Sequence, residues 1–109
     1  MFAAKIRLPL LVQVCQSLST MLEAGVPLTK SVTTIAKRMR DGRCRRTLQE
    51  ISAEIERGHD LESSLKQYDR YFPELFVDMV HIGEETGTLP EVLSALGKHY
   101  DQIGQLRRD

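Results

Sequence analysis

Four of the seven glycines of this chain divide it into segments whose apolar residues recur with the period of an α-helix. These four stand at positions 25, 42, 58 and 87. Within a segment the apolar residues repeat in steps of three and four, which places their side chains on one helix face. The first segment illustrates this with Leu11, Cys15, Leu18 and Leu22. No convincing period-two alternation is found, so the pattern predicts an all-α protein.

Residues of special backbone preference mark where the first three helices begin and end. Gly25 ends the first, because glycine adopts the left-handed conformation of a helix C-terminus without a steric penalty. Pro27 begins the second, since proline is tolerated in a first helical turn. We expect the second helix to close at Asp41-Gly42 and the third to end at Gly58.

The second half of the chain predicts three more helices. Asp60 is a good N-cap for a short fourth helix, and a fifth follows Pro73. Thr88 begins the sixth, with Glu91 in the spacing of a capping box. The apolar stripe of that helix is Leu89, Leu93, Leu96, Tyr100 and Ile103. Short connections between six helices predict a compact antiparallel six-helix bundle.

Composition limits the class of protein. A chain of 109 residues is one domain, and 41% hydrophobic with 28% charged residues is typical of a globular rather than a disordered chain. The formal charge is zero, but residues 1–58 carry ten Lys or Arg against five acids, and residues 59–109 carry five against ten. This polarity favours contact with complementary partners and argues against a generic nucleic-acid binder.

Cysteine usage and hydropathy bear on the compartment. Cys15 and Cys44 lie on apolar helix positions without a CxxC spacing, which predicts buried free thiols in a reducing environment. The longest apolar run is far too short to span a bilayer. Met1-Phe2-Ala3-Ala4 lacks the basic region and the long apolar segment of a signal peptide. We therefore expect the chain as given to be soluble.

The segment Gly83-Glu84-Glu85-Thr86-Gly87-Thr88-Leu89 carries the least expected residue of the chain. It reads as a helix that ends at Gly87, followed at once by the helix that Thr88 caps. Glu84 follows a mostly apolar stretch, so its carboxylate must reach solvent, accept backbone N–H groups or bind a cation. Acceptance of loop amides is the favoured interpretation. The alternative is a hard cation such as calcium, to which Glu84 and Glu85 could supply oxygen ligands together with Asp60 or Asp78, although no EF-hand loop is present.

No pattern in the sequence predicts an enzyme. Phosphate-binding, zinc-protease and nucleophile-elbow motifs are absent. His59, His81 and His99 are far apart and lack metal-ligand spacing. We expect His59 and His99 to be solvated and His81 to be partly buried with a satisfied ring. No cofactor is required by these residues.

A basic run extends from residue 37 to residue 46 and admits two interpretations. Its cations include Arg43, Arg45 and Arg46. In the first interpretation they stabilise the C-terminal end of the second helix, where the helix dipole favours positive charge, and lie in a solvated loop. They can also contact an acidic partner or an anionic membrane. Binding of nucleic acid through this run is the less favoured alternative, since no aromatic residue is interleaved.

Four motifs together resemble the cytoplasmic domain of the GspF/PilC family, the inner-membrane platform proteins of type II secretion and type IV pilus assembly. The first runs from Leu18 to Leu28 and contains Ala-Gly-Val-Pro, and the second is Gly58-His-Asp-Leu-Glu-Ser-Ser-Leu65. The third is Phe72-Pro-Glu-Leu, and the fourth is Met79-Val-His-Ile-Gly-Glu-Glu-Thr-Gly-Thr-Leu89. Each motif is weak alone, but their order and spacing together are specific. His59, Thr86 and residues 37–47 depart from the family pattern.

The resemblance implies a six-helix, non-enzymatic scaffold at the cytoplasmic face of the bacterial inner membrane. It implies that the chain is a fragment of a larger polytopic protein, with Leu106-Arg-Arg108 approaching the first membrane span. It further implies contact with the assembly ATPase and other platform proteins, and a homodimer. By the same resemblance a divalent cation is expected at an acidic site, here at Glu84 with Asp60. The alternative functions are a free-standing soluble helical adaptor and, less favoured, a nucleic-acid-binding module.

Overall fold

Six helices account for nearly all of the regular structure in the computed structural model, which describes residues 5–108 apart from the side chain of Arg108. They are α1 (Leu8–Glu23), α2 (Leu28–Arg38), α3 (Gly42–Glu56), α4 (Leu61–Lys66), α5 (Glu74–Thr86) and α6 (Leu89–Arg108). No strand occurs within the described range, so the all-α prediction is confirmed. The segment Met1–Ala4, in which no signal peptide is expected, lies outside that range.

The helices pack into one body of about 40 × 31 × 24 Å. The main partners are α1 with α6 and α2 with α3, while α5 contacts both α4 and α6. Burial of apolar side chains in a single cluster is the main force that holds these pairs together. Its largest fully buried members include Leu11, Leu18, Ile35, Ile51, Leu61, Phe72, Phe76 and Leu93. Leu93, Leu96 and Tyr100 of the predicted α6 stripe are buried, and Leu89 and Ile103 are partly buried.

Three of the four punctuating glycines end helices as predicted. Gly25, Gly58 and Gly87 have positive φ angles of 84°, 102° and 70°. Pro27 is the N-cap of α2, which agrees with a helix start at that point. The buried thiols are also confirmed, since Cys15 and Cys44 are both free and fully enclosed.

Gly42 does not end a helix, contrary to the prediction. It is the first residue of α3, and the Asp41 side chain caps that helix by accepting the amide of Cys44 at 2.9 Å. Helix α2 stops earlier, at Arg38, because Met39 is extended and its side chain is 3% exposed. Burial of Met39 therefore decides where the second helix ends.

Candidate functional site at the junction of α4 and α5

Glu84 joins α5 to the beginning of α4. Its Oε2 accepts the backbone amide of Leu61 at 2.8 Å, and its Oε1 accepts the amide of Glu62 at 2.9 Å. Both amides lie in the first turn of α4, where no intrahelical carbonyl is available to them. A carboxylate at this end of a helix is also favoured by the helix dipole. Glu84 therefore accepts backbone amides, as predicted, but these amides belong to the first turn of α4 and not to a loop.

Asp60 satisfies the next amide of the same helix. Its Oδ1 accepts the backbone amide of Ser63 at 2.8 Å, as the N-cap prediction requires. The side chain and then the backbone of Ser63 lower the pKa of Asp60, and the charge of His81 contributes to the same effect. Together Glu84 and Asp60 occupy the three free amides at the start of α4.

Glu62 is a further charged residue of this junction that the sequence patterns did not indicate. It is 9% exposed, and its Oε2 lies 2.6 Å from Nζ of Lys66 while its Oε1 lies 3.5 Å from Nδ1 of His81. The ion pair with Lys66 raises the pKa of that lysine. The four-residue spacing of Glu62 and Lys66 was the available signal. His81 is exposed rather than partly buried, so the expectation for its burial is wrong, although its ring does face Glu62.

Gly83 and Gly87 bring α5 and α6 close together. A Cβ atom on Gly83 would lie 3.0 Å from the Cα of Leu89 and 3.3 Å from the side chains of Leu89 and Val92. Gly87 has the left-handed conformation that ends α5, and its amide bonds to the carbonyl of Gly83. The amide of Thr88 bonds to the same carbonyl at 2.9 Å. Both glycines are therefore required by the geometry of the turn.

The Thr88 hydroxyl, in the predicted capping box of α6, also contacts the preceding helix. It lies 2.7 Å from the hydroxyl of Thr86, which in turn donates to the carbonyl oxygen of Ile82 at 2.8 Å. These bonds join the start of α6 to the last turn of α5. The capping box with Glu91 stays a prediction.

The acidic residues at this junction are occupied by the protein itself. Between residues 5 and 107, no group of three or more His, Cys, Asp or Glu side chains is arranged to hold a metal ion. Glu84 and Asp60 serve the same helix terminus, but each carboxylate accepts backbone amides. Calcium at Glu84 and Asp60 stays a prediction.

The basic run divides into arginines used within the fold and cations that face solvent. The guanidinium of Arg43 lies 4.5 Å from the ring centroid of Tyr71, a cation–π arrangement. Arg45 donates to the carbonyl oxygen of Met39 at 2.9 Å and so satisfies the end of α2. Arg46 is exposed, as are Lys37, Arg38 and Arg40. Arg43 and Arg45 are therefore used within the fold. Lys37, Arg38, Arg40 and Arg46 form an exposed basic surface.

Three further buried groups, two thiols and one hydroxyl, lie outside this junction. Burial raises the pKa of the Cys15 thiol to about 12, and it raises the pKa of the Cys44 thiol as well. A neutral thiol is a poor nucleophile, so neither cysteine resembles a reactive centre. The Tyr100 hydroxyl is buried and makes no hydrogen bond of good geometry with a described residue. Burial raises its pKa to about 12, and the nearby backbone amide of Phe76 opposes that rise.

Comparison with known proteins identifies the group to which this bundle belongs. The family described as "Type II secretion system (T2SS), protein F" matches residues 14–109, which include most of α1 and all of the following helices. The chain belongs to this family. The glycine and acid motifs at the junction of α4 and α5 therefore lie within the region shared with the protein F family, and the predicted resemblance is confirmed.

Individual relatives of the protein F family come from both kinds of machine. The chain is 33% identical over 94 residues to the type IV pilus assembly protein TapC of Aeromonas hydrophila, covering 86% of this chain and 21% of that protein. It is 30% identical over 92 residues to the type IV pilus assembly protein PilC of Pseudomonas aeruginosa, covering 84% and 25%. It is 31% identical over 106 residues to the type II secretion system protein F of Vibrio cholerae, covering 97% and 26%. The chain thus spans about a quarter of the length of these relatives.

Proposed function

We propose that this chain is a non-enzymatic scaffold domain of an inner-membrane platform protein in type II secretion or type IV pilus assembly. The observation that carries the proposal is the family match, which extends over residues 14–109 and so over nearly the whole bundle. The use of the polar groups at the α4–α5 junction supports it, since the carboxylate oxygens of Glu84 and Asp60 accept backbone amides of α4 and so hold two helices together. The energy for transport would come from a partner.

The proposed partners are the assembly ATPase and other platform proteins, with a homodimer as the working unit. The exposed cations Lys37, Arg38, Arg40 and Arg46 support contact with an acidic partner surface, because they make no ion pair with any other described residue. Charge complementarity of this kind guides encounter and selects partners. The bundle would then transmit movement of the ATPase to the membrane platform.

The proposed location is the cytoplasmic face of the inner membrane, within a larger polytopic protein. No helix in the described range is both long enough and apolar enough to cross a membrane. The spans would therefore belong to other segments of the parent protein. At the end of α6, the exposed residues Leu106 and Arg107 support an approach to a membrane surface on its positively charged side.

The proposal is tested in the parent protein, expressed with its own secretion or pilus machinery. Reversal of Lys37, Arg38 and Arg40 to Glu is expected to reduce co-purification of the assembly ATPase at least about tenfold. It is also expected to reduce export or pilus assembly while the helical content stays unchanged. Reversal of Lys30, an exposed lysine earlier in α2, is the matched control and should have little effect. Normal export after deletion of residues 14–109 would contradict the proposal.

A further inference from the structure

One side of α5 carries two exposed large apolar residues. Leu75 is 45% exposed and Ile82 is 48% exposed, and Leu106, at 76%, is the one other exposed large apolar residue in the described part of the chain. Leu75 and Ile82 are seven positions apart, which is about two helical turns, so both side chains lie on the same side of α5, about 10 Å apart. Partly buried Met79 lies between them at the edge of that side.

Acidic residues run beside these two apolar residues. Glu74, Asp78 and Glu85 are exposed, and none of them forms an ion pair with another described residue. Lys5 and Lys66 line a cavity with Glu74 and Asp78, but neither lysine forms an ion pair with these acids, and the ammonium group of Lys66 is paired with Glu62 at 2.6 Å. We call the five residues Glu74, Leu75, Asp78, Ile82 and Glu85 the α5 face.

The α5 face is not needed by the fold. The opposite side of α5 supplies Phe76, Val77, Val80 and Gly83 to the core. Glu84 is turned toward α4, where both of its oxygens accept amides. Exposure of Leu75 and Ile82 to water carries a free-energy cost that burial against a partner would remove. Contact with a partner would therefore explain why Leu75 and Ile82 are exposed.

We propose that the α5 face binds a cationic amphipathic helix of another protein. Leucine-sized side chains two turns apart on that helix would cover Leu75 and Ile82, and its lysines or arginines would pair with Glu74, Asp78 and Glu85. This is the helix-against-helix form of recognition, in which apolar anchors supply affinity and flanking charges supply partner choice. The inference rests on the proposed scaffold role only in requiring that the domain has a protein partner.

A second copy of this chain is a poorer occupant for two reasons. An antiparallel pairing of two α5 helices that joins Leu75 to Ile82 would bring the two Asp78 carboxylates together, and like charges at an interface are repulsive. The exposed basic surface of α2 and its following loop has the right charge, but it contains no exposed large apolar residue that could cover Leu75 and Ile82.

The test uses a labelled synthetic peptide of about 18 residues, composed of leucine, lysine and alanine in an amphipathic helical pattern. Binding to the purified chain is followed by fluorescence anisotropy. We expect saturable binding that weakens as salt is raised from about 50 to about 300 mM. A scrambled peptide of identical composition should bind at least about tenfold more weakly, because it has the charge without the apolar stripe.

Two paired variants and two matched controls locate the binding site. Leu75→Ser with Ile82→Ser, and separately Asp78→Lys with Glu85→Lys, should each weaken binding at least about tenfold. Leu106→Ser changes an exposed apolar residue elsewhere, and Glu91→Lys changes an exposed acid elsewhere; neither should alter binding by more than about twofold. All four proteins are first checked for unchanged helical content.

Three results would overturn the proposal. The first is that the scrambled peptide binds as tightly as the amphipathic one. The second is that the control variants lose as much peptide binding as the paired variants. The third is that the chain associates with itself and that Leu75→Ser with Ile82→Ser abolishes this association. The last result would assign the α5 face to a homodimer. None of these bears on the scaffold role itself, which is decided separately by co-purification of the assembly ATPase and by export.

Discussion

The carboxylate of Glu84 accepts the amide of Leu61 across 23 positions of sequence, at 2.8 Å. This bond fixes the first turn of α4, a helix of only six residues, against the last turn of α5. So short a helix is not stable by itself, since helix formation needs more residues than this to offset the cost of nucleation. The position of α4 therefore depends on a side chain that belongs to another helix.

Removal of the Glu84 carboxylate is expected to loosen α4. Glu84→Ala leaves the amides of Leu61 and Glu62 without a protein acceptor, which should lower the free energy of unfolding by about 1–3 kcal/mol. Denaturant unfolding measures this change, and hydrogen exchange should be faster at those two amides. The neighbouring Glu85→Ala removes an exposed acid and is the control, with a change within about 0.5 kcal/mol. Equal midpoints for the two variants would contradict the assigned role of Glu84.

A methyl group at Gly83 is expected to separate α5 from α6. The new Cβ of Gly83→Ala would lie 3.0 Å from a backbone atom of Leu89, and the backbone cannot turn aside as a side chain can. Overpacking of this kind costs about 1–3 kcal/mol, against the gain that alanine normally brings to a helix. Thermal and denaturant unfolding would measure the loss.

Gly42→Ala is the matched control for that experiment. Its Cβ would meet the tip of the Arg46 side chain at 3.1 Å, and that flexible side chain can move away. At this helical position alanine should leave stability unchanged or raise it by up to about 1 kcal/mol. A similar loss in both variants would show that crowding at Leu89 is not the cause.

Alkaline pH is expected to destabilise the bundle through Cys15 and Tyr100. Their folded pKa values are each about 12, above the ordinary values of 9.0 and 10.0, because burial disfavours the charged forms. The folded state thus keeps both protons at pH values where the unfolded state has lost them. Their contribution to stability is complete below pH 9 and is lost between about pH 9 and 12, by up to about 1.4 kcal/mol per pH unit for each group.

Tyr100→Phe isolates the contribution of the tyrosine. It removes a buried hydroxyl that has no described hydrogen-bond partner, so stability at neutral pH should be unchanged or higher by about 1 kcal/mol. Urea unfolding between pH 9 and 11 should then show a smaller loss than in the unmodified protein. A steeper loss in Tyr100→Phe, or a marked destabilisation at pH 7, would contradict the assigned burial of this hydroxyl.

Calcium and self-association are tested together by light scattering. If calcium binds at Glu84 and Asp60, it has to replace the amides that these carboxylates now accept. A calcium-dependent dimer should form and dissociate with a chelator, and Glu84→Gln with Asp60→Asn should not respond. Asp69→Asn, a change at another exposed acid, is the control. A monomeric mass that is the same with calcium and with chelator would contradict both the predicted calcium site and the proposed homodimer.

Local patterns were sufficient to predict the helices and most of their ends. Three- and four-residue spacing of apolar side chains reports the face of a helix, and Gly25, Gly58 and Gly87 stop helices by a backbone preference that acts within a few residues. The N-cap role of Asp60 is equally local, since the amide it accepts is three residues away. These are properties of short segments, and the rest of the chain does not alter them.

Contacts between distant segments decided the remainder. Burial of Met39 ended α2 before Gly42. Arg43 packs on the ring of Tyr71, and Arg45 donates to the carbonyl oxygen of Met39 at the end of α2, so neither belongs to the exposed basic surface. The sequence by itself determined that Glu84 needs a partner, because a charged group in an apolar stretch cannot be left unsatisfied. Only the tertiary structure decided that the partners are the first amides of α4, since a pairing over more than twenty positions depends on how the helices pack and not on the spacing of residues within either one.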